Sequence, residues 1–409
     1  MRVLFINAFF GRGSTGRLVE TLFYSLRKKG VETFAIAGFD NPKLDNVISL
    51  KKFPSDLDLY LAMLRTRITG FNGFEKNKNT KKICNYILKI KPDIINIHVA
   101  HGGYINILSL LRFLKSQNTK VVFTMHDCWL MTGHCPHFSI FKCDKWKERC
   151  GHCQHLKECI YPRTYLFDRS EKQFLFKKEA FENLACNFIA PCNWIRDFIP
   201  YSPILKNYFL SKTIYNGIDF YKVESKECFK FKELLNEEKK ILLFVSSQLT
   251  QSKGINEIEE LSKIISDEYL IVLVGKRKKV LDKTNEKIRY IGSVDNQAEL
   301  KFVYENSYAF INMTLADTFP TTLIEALQSG TRVITYKTGG CAEIKKDGFA
   351  FVPETNTPIA FFKEIKRINH SFEYDRDSII EYGKTFSSEK MVNNYYDFFV
   401  DILEGGTKK

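Results

Sequence analysis

Residues 309–348 constrain this chain more than any other stretch. They read AFINMTLADTFPTTLIEALQSGTRVITYKTGGCAEIKKDG. The apolar run from Tyr308 to Met313 predicts a buried strand. A polar turn follows, Leu315 to Thr321, with Pro320 near the start of a helix. That helix is expected over about Thr322 to Ser329, with Gly330 to stop it. A second apolar strand, Arg332 to Tyr336, runs into Gly339-Gly340. The unit is strand–loop–helix–strand, as in a parallel sheet, where ligands sit outside the carboxyl ends of the strands. Two acids belong to that edge: Asp317 in the loop and Glu325 in the helix, with seven residues between them. The backbone from Phe319 through Pro320 and Thr321 to Thr322 opens the helix. Its N–H groups make an anion site, where the helix dipole alone gives a phosphate roughly 0.3–1 kcal/mol.

The string D-x-F-P-T-T-x-x-E-A-L-x-x-G-T-x-V-I, followed by T-G-G-x-x-E through Gly339, Gly340 and Glu343, resembles family 4 of the glycosyltransferases. That family usually carries Glu at the first acid; here it is Asp317, shorter by one methylene. Read without the rest of the string, the acids would suit a capped helix and a solvated loop.

A length of 409 residues is enough for two domains with cores of their own. No apolar run is long enough to span a bilayer. Met1-Arg2 leads directly into a strand, Val3 to Ala8, which reads as no signal peptide and predicts a cytoplasmic protein. Lys and Arg number 61 against 47 Asp and Glu, a net charge of +14. That surplus suits anionic partners: nucleotide phosphates, the anionic inner face of a membrane or nucleic acid. A generally basic surface explains it equally well.

After the first strand, Gly11, Gly13 and Gly16 match G-x-G-x-x-G, ahead of an amphipathic helix from about Arg17 to Lys29. A glycine loop lets backbone approach a ligand. Asp40, ending the next strand, keeps a dinucleotide fingerprint open. In a bacterial branch of family 4 the loop reads G-S-T-G-R, here Gly13 to Arg17, and lines the acceptor cleft; the resemblance thus assigns Gly13, Ser14, Thr15, Gly16 and His101 to that side. Ile94 to Ala100 is a further strand, with His101-Gly102-Gly103-Tyr104 opening the next helix. Lys120 to Met125 is another, and His126-Asp127 falls at its carboxyl end. A histidine there is ordinarily structural, but His126 resembles the one that contacts the donor sugar in this family. His98 and His101 have weaker cases.

The segment from His126 to Pro162 holds six of the chain's 11 cysteines. A reducing compartment favours metal over disulfides. Cys150-x-x-Cys153 has the bite of a zinc knuckle, and Cys135 and Cys143 complete a four-thiolate, structural site. Free buried thiols rank next and disulfides third. The same branch of family 4 carries H-D-C-W, T-G-H-C, C-x-x-W, C-x-x-C, then Y-P and D-R-S. Here these are His126 to Trp129, Thr132 to Cys135, Cys143 to Trp146, Cys150 to Cys153, Tyr161-Pro162 and Asp168 to Ser170. Gln154 stands where the branch usually has Pro.

Asn216-Gly217-Ile218-Asp219 resembles the turn leading out of the family's first domain, though Asn-Gly is a common turn pair. A second sheet is expected from Lys240 to Ser246, then a loop to Lys253-Gly254. In the wider family this loop carries an Arg five residues before the Lys, and both cations meet the donor phosphates. Lys253 matches; the Arg position is Gln248. Tyr269 to Val274 is a strand ending at Gly275, a border for base or ribose. Lys276 to Lys279 reads as a solvated basic run. The final helix, about Ser388 to Leu403, has aromatics that core packing explains.

The resemblance implies an α/β protein of GT-B fold: two doubly wound parallel-sheet, Rossmann-like domains facing across a cleft. Residues 1–218 form an acceptor-side domain with a cysteine-rich insertion over 128–168. Residues 219–239 are a linker, 240–386 a nucleotide-sugar-binding domain, and 387–409 a helix crossing back. The implied activity is retaining transfer of a sugar from a nucleotide-sugar to a glycan or lipid-linked acceptor, in bacterial exopolysaccharide, capsule or O-antigen assembly. Asp317 then holds the sugar and the charge at C1, Glu325 the ribose, His126 the sugar, and Lys253 with Gly275, Phe319, Pro320, Thr321 and Thr322 the donor. No catalytic metal and no nucleic acid are implied. A sugar-nucleotide epimerase and a zinc-stapled nucleic-acid-binding protein stay open as other classes.

Overall fold

Short apolar runs with no polar face suit central strands of a sheet covered on both sides. The computed structural model describes residues 1–39, 45–49, 64–74, 78–158, 163–277, 285–370 and 375–405. The chain divides into two compact units, Met1–Tyr215 with Met391–Lys409, and Asn216–Lys390.

The first unit contains a seven-stranded sheet, in the order β3-β2-β1-β4-β5-β6-β7. Its strands are β1 (Arg2–Asn7), β2 (Glu32–Ala37), β3 (Val47–Ser49), β4 (Ile94–Ile97), β5 (Lys120–Thr124), β6 (Cys186–Ala190) and β7 (Ser211–Thr213). All neighbours are parallel; Val3 pairs with Thr33 on one side and Ile94 on the other. In β1 every residue after Arg2 is buried. The order reverses between β1 and β4, which makes the edge beyond their carboxyl ends a binding position.

The second unit contains a six-stranded parallel sheet, in the order β10-β9-β8-β11-β12-β13. Its strands are β8 (Lys240–Leu249), β9 (Tyr269–Arg277), β10 (Ile288–Gly292), β11 (Ala309–Asn312), β12 (Val333–Thr335) and β13 (Ala350–Phe351). Leu242, Ile271, Ile311, Ile334 and Phe361 belong to one buried cluster on this sheet. Each such side chain contributes about 1.5–3 kcal/mol of apolar burial. The switch point lies between β8 and β11.

Several boundaries differ from the sequence reading. The first helix is Gly13–Lys28 rather than starting at Arg17. Gly13 takes a positive φ of 65° and swings the chain into its first turn, and Gly11 donates its N–H to the Gly16 carbonyl at 3.0 Å. Gly13, Ser14, Thr15 and Gly16 are therefore helical. The helix after β4 is Ile107–Leu114; His101 to Tyr104 precede it in a loop, with Gly102 and Gly103 at positive φ. β8 continues through Leu249 and β9 through Arg277, past a register shift between Val245 and Gln248. Gly275 makes that continuation possible. Its φ is 145°, and a Cβ there would collide with the Ser246 carbonyl oxygen. Gln248 is thus a strand residue paired with Lys276. Asp40, Cys159, Tyr161, Pro162, Lys278 and Lys279, named above, lie outside the described residues.

Asp219, in the turn after β7, accepts the N–H of Ser388 at 3.0 Å and its hydroxyl at 2.7 Å. A carboxylate at this helix start satisfies orphan donors and opposes the dipole. The helix it starts is Ser388–Leu403. Among the described residues no helix is long and apolar enough to cross a membrane.

Candidate functional site

The sequence-predicted residues fall into two groups, one in each compact unit. In the second unit, β8 delivers Lys253 and β11 delivers Asp317, the two strands at the switch point. The Lys253 ammonium sits 2.5 Å from Asp317 Oδ2 and 3.5 Å from the Ala316 carbonyl oxygen. Burial pulls the Lys253 ammonium down; the Asp317 carboxylate, by charge and hydrogen bond, outweighs this and holds its pKa above the ordinary lysine value. The side chain is therefore a cation at neutral pH. It has three N–H donors, of which these contacts use two.

Two glycines allow the loops to meet. Gly254 has φ 87° and a Cβ there would strike the Met313 carbonyl oxygen. Gly339 has φ 55° and a Cβ there would strike the Asp317 carbonyl oxygen. Gly340 donates its N–H to the Thr318 carbonyl at 2.8 Å. The loops after β8, β11 and β12 are thus packed backbone to backbone around Asp317.

The helix after Asp317 is Thr321–Gln328, with Pro320 as its N-cap and no side-chain cap. Proline lacks an N–H, so the opening donors come from the residues that follow it. The Phe319 carbonyl accepts from Asn216 Nδ2 at 2.8 Å. Glu325 is only 7% exposed. It accepts the Tyr304 hydroxyl on Oε2 at 3.1 Å, and Thr321 Oγ1 lies 3.5 Å from Oε1. Gly275 stands apart in role: its conformation serves the β8–β9 contact described above.

In the first unit, β4 and β5 bring histidines to their carboxyl ends. His98 Nδ1 lies 2.9 Å from His126 Nε2, and His98 Nε2 lies 2.8 Å from Asn96 Oδ1. His101 Nε2 is 2.7 Å from Asp127 Oδ2. Burial lowers the His126 pKa to about 4, against the Asp127 carboxylate, which favours the cation. Burial and the charge of His126 hold His98 well below the usual histidine value. Burial pushes the Asp127 carboxyl up, but His101, His137 and the Trp129 N–H together bring it to about 2.

These shifts predict a pH dependence. The folded protein keeps His98 and His126 neutral, while the unfolded chain protonates them near pH 6.5. The unfolded state therefore binds more protons below that value, and stability falls as pH drops from about 6.5 towards 4. Thermal melting across this window is expected to show the fall. A His98→Asn, His126→Gln variant is expected to flatten it.

The cysteine-rich segment belongs to this same unit. Cys135, Cys143, Cys150 and Cys153 do gather closely enough for their charges to interact. Among the described residues, however, no group of three or more His, Cys, Asp or Glu is arranged to hold a metal ion. Cys150 Sγ instead accepts the Gly133 N–H at 3.1 Å. Burial pushes the Cys150 thiol up to about 12 and the Cys153 thiol up to about 11. No disulfide joins any of the ten described cysteines. What ties the segment down is packing: Trp129 and Trp146 are fully buried. Buried Lys177 donates to the Trp129 and Thr132 carbonyls at 2.6 and 2.8 Å.

Residues 225–386 match the family described as "Glycosyl transferases group 1". The chain is 25% identical to the putative colanic acid biosynthesis glycosyl transferase WcaC of Escherichia coli (strain K12), over 48% of this chain and 50% of that protein. The match thus spans about half the length of this curated relative. Among solved structures, a glycosyltransferase from Rickettsia africae ESF-5 superposes with a TM-score of 0.64 at 14% identity, covering 99% of both chains. Anabaena Alr3699/HepE, solved in complex with UDP and glucose, superposes at 0.62 with 13% identity, over 98% of this chain and all of that one.

The fold is GT-B.

Within that GT-B frame, the sequence reading missed two supporting residues, Asn96 and Tyr304. Asn96 lies in β4 two residues before His98, so their side chains share a face; that spacing was a usable signal. Tyr304, which holds Glu325, comes from the preceding Gln297–Glu305 helix. No local pattern links it to an acid 21 residues away.

Proposed function

We propose that this chain is a retaining glycosyltransferase of family 4, moving a sugar from a nucleoside-diphosphate sugar to a glycan or lipid-linked acceptor in bacterial surface-polysaccharide assembly. The observation that carries the reading is the Lys253–Asp317 pair beside the start of the Thr321–Gln328 helix, at the switch point of the second sheet. A leaving diphosphate needs positive charge. Lys253 supplies a full cation and the helix start supplies N–H groups. One preorganised donor of this kind is worth roughly 2.7–4 kcal/mol at the transition state.

In this reading the bond from C1 to the phosphate oxygen breaks as a bond from C1 to the acceptor oxygen forms on the same face. The departing phosphate oxygen takes the acceptor proton. Asp317 steadies the positive charge developing at C1 and orients Lys253 through the ion pair. Glu325 binds the ribose hydroxyls, with Tyr304 and Thr321 fixing its rotamer. His126 contacts the donor sugar. The UDP bound by the Anabaena neighbour and the polysaccharide setting of the Escherichia coli relative agree with this substrate class.

A thermal-shift screen against nucleoside diphosphates and their sugars is the first test. A stabilising ligand raises the melting temperature in proportion to its occupancy. Failure of every nucleoside diphosphate to shift it would sink the reading. With the stabilising ligand in hand, Glu325→Gln is expected to weaken donor binding about tenfold or more, the size of one charge-assisted hydrogen bond. An unchanged affinity by calorimetry would remove Glu325 from the ribose.

A further inference from the structure

The loop that leads into the Ser170–Phe181 helix of the first unit has its polar ends tied inward and its apolar middle turned out. Thr164 is 1% exposed, and its hydroxyl lies 3.3 and 3.2 Å from the Arg67 and Phe167 carbonyl oxygens. Asp168 accepts the Cys153 N–H at 2.7 Å and the Ser170 N–H at 2.8 Å. Between these anchors Tyr165, Leu166 and Phe167 are 47%, 67% and 50% exposed. Single apolar side chains on a surface are ordinary; three consecutive ones held out together are not. The backbone fixes them there. Tyr165 donates its N–H to the Arg67 carbonyl at 3.0 Å, and Gly70, at φ 73°, lets the Phe167 carbonyl oxygen take the place a Cβ would fill.

Cations border this tip. The Arg169 guanidinium lies 5.3 Å from the Phe167 ring centroid and 5.7 Å from that of Phe71, and the Lys172 ammonium lies 5.9 Å from the Phe71 centroid. Arg65, two residues before Arg67, is exposed. The adjoining acids are already engaged: Asp168 by the two N–H groups, Glu171 by Arg149 at 2.6 Å. We propose that Tyr165, Leu166 and Phe167 form a wedge that seats the first unit on an anionic phospholipid surface, with Arg65, Arg169 and Lys172 meeting the lipid phosphates.

Area and charge select lipid over a protein partner. A stable protein interface takes roughly 800 Å² from each side, more than a tip of three half-exposed side chains provides. A headgroup layer needs no matching shape: apolar tips enter it, and each cation close to an anionic surface adds attraction. Tyr165 suits the boundary, with a ring for the apolar side and a hydroxyl for water. The chain's 61 Lys and Arg against 47 Asp and Glu give a charge of the same sign. This surface does not depend on the sugar-transfer reading.

The test is sedimentation of the full chain with vesicles of phosphatidylcholine, alone or with roughly one-third phosphatidylglycerol. Wild type is expected to pellet with the anionic vesicles, to stay in solution with the neutral ones, and to come off as salt rises. Leu166→Ser with Phe167→Ser is expected to weaken partitioning about tenfold or more, from two lost apolar anchors. Both side chains are exposed, so that variant should melt like wild type. Arg65→Gln with Lys172→Gln is expected to narrow the preference for anionic vesicles. Leu166→Trp should give a blue-shifted emission on binding that bromine-substituted lipid quenches. Absence of wild-type binding to anionic vesicles overturns the inference, and so does unchanged binding by the double serine variant. A wild-type dimer that the serine variant dissolves assigns the tip to a second copy and overturns it as well. Vesicle binding through this loop by a protein that transfers no sugar would leave the surface standing and sink the proposed function; sugar transfer without vesicle binding would do the reverse.

Discussion

Lys253→Met is expected to lower kcat/KM for sugar transfer by about 10²–10³-fold, the loss typical of one preorganised donor to a developing anion. The cation cannot be replaced from its own loop, since 247–254 contains no other lysine or arginine. Asp317→Asn is expected to lower kcat/KM further while leaving a measurable residue of transfer, because it removes the carboxylate assigned to C1 and releases Lys253 from its 2.5 Å contact. The two effects should not add. Residues in direct contact share their free energy, so the double variant is expected to be no worse than Asp317→Asn alone. Circular dichroism and melting temperature should stay near wild type, since a pair one-third and one-fifth exposed contributes little to stability. Near-normal turnover by Asp317→Asn would remove that residue from the reaction. Fully additive losses would mean that the pair does not work as a unit.

Gly339→Ala is expected to be among the most damaging single methyl groups near the site. The residue has φ 55°, where a side chain costs roughly 1–2 kcal/mol, and its new Cβ would strike the Asp317 carbonyl oxygen. Backbone cannot be packed closer, so one of the two loops must move. The expected cost is about 2–4 kcal/mol of stability, read from denaturant unfolding. Because a shift of about 1 Å in a reacting group costs on the order of 10²-fold, activity is expected to fall with it, even though Gly339 has no side chain to contribute. Gly348→Ala is the control: it too has positive φ, 80°, but meets nothing within 4 Å. It should lose only the conformational part and keep its activity. If Gly339→Ala transfers sugar like wild type, the close packing of these loops is not what holds Asp317.

Much of this was legible in the residues. The strands at Val3, Tyr269 and Ala309 are continuous apolar runs, and burial on both faces permits little else. The Thr321–Gln328 helix announces itself through Pro320 before it and Gly330 after it, with Gly330 at φ 73°. The ends of elements were harder. Residues 13–16 read as a loop because two glycines suggest one. In the folded chain Gly16 has the backbone of Phe9 3.2 Å from where a Cβ would be, so glycine there serves a helix packed tightly on a strand end. Gly275 misled about a boundary too. It looked like the end of a strand, and it is a strand residue giving room to the Ser246 carbonyl. A glycine states that backbone comes close, without stating what comes close to it.

By itself, the sequence determined the class of the protein: alternation of buried strands and capped helices leaves only doubly wound sheets, and the order of its motifs puts Lys253, Asp317 and His126 just beyond strand ends. Tertiary structure alone decided who their partners are. Lys253 meets Asp317 across 64 residues, Tyr304 meets Glu325 across 21, and His98 meets His126 across 28. The reason is range. Periodicity and capping act over a few neighbouring residues, whereas protonation, ion pairing and coordination depend on distances of a few ångströms between elements far apart in the chain.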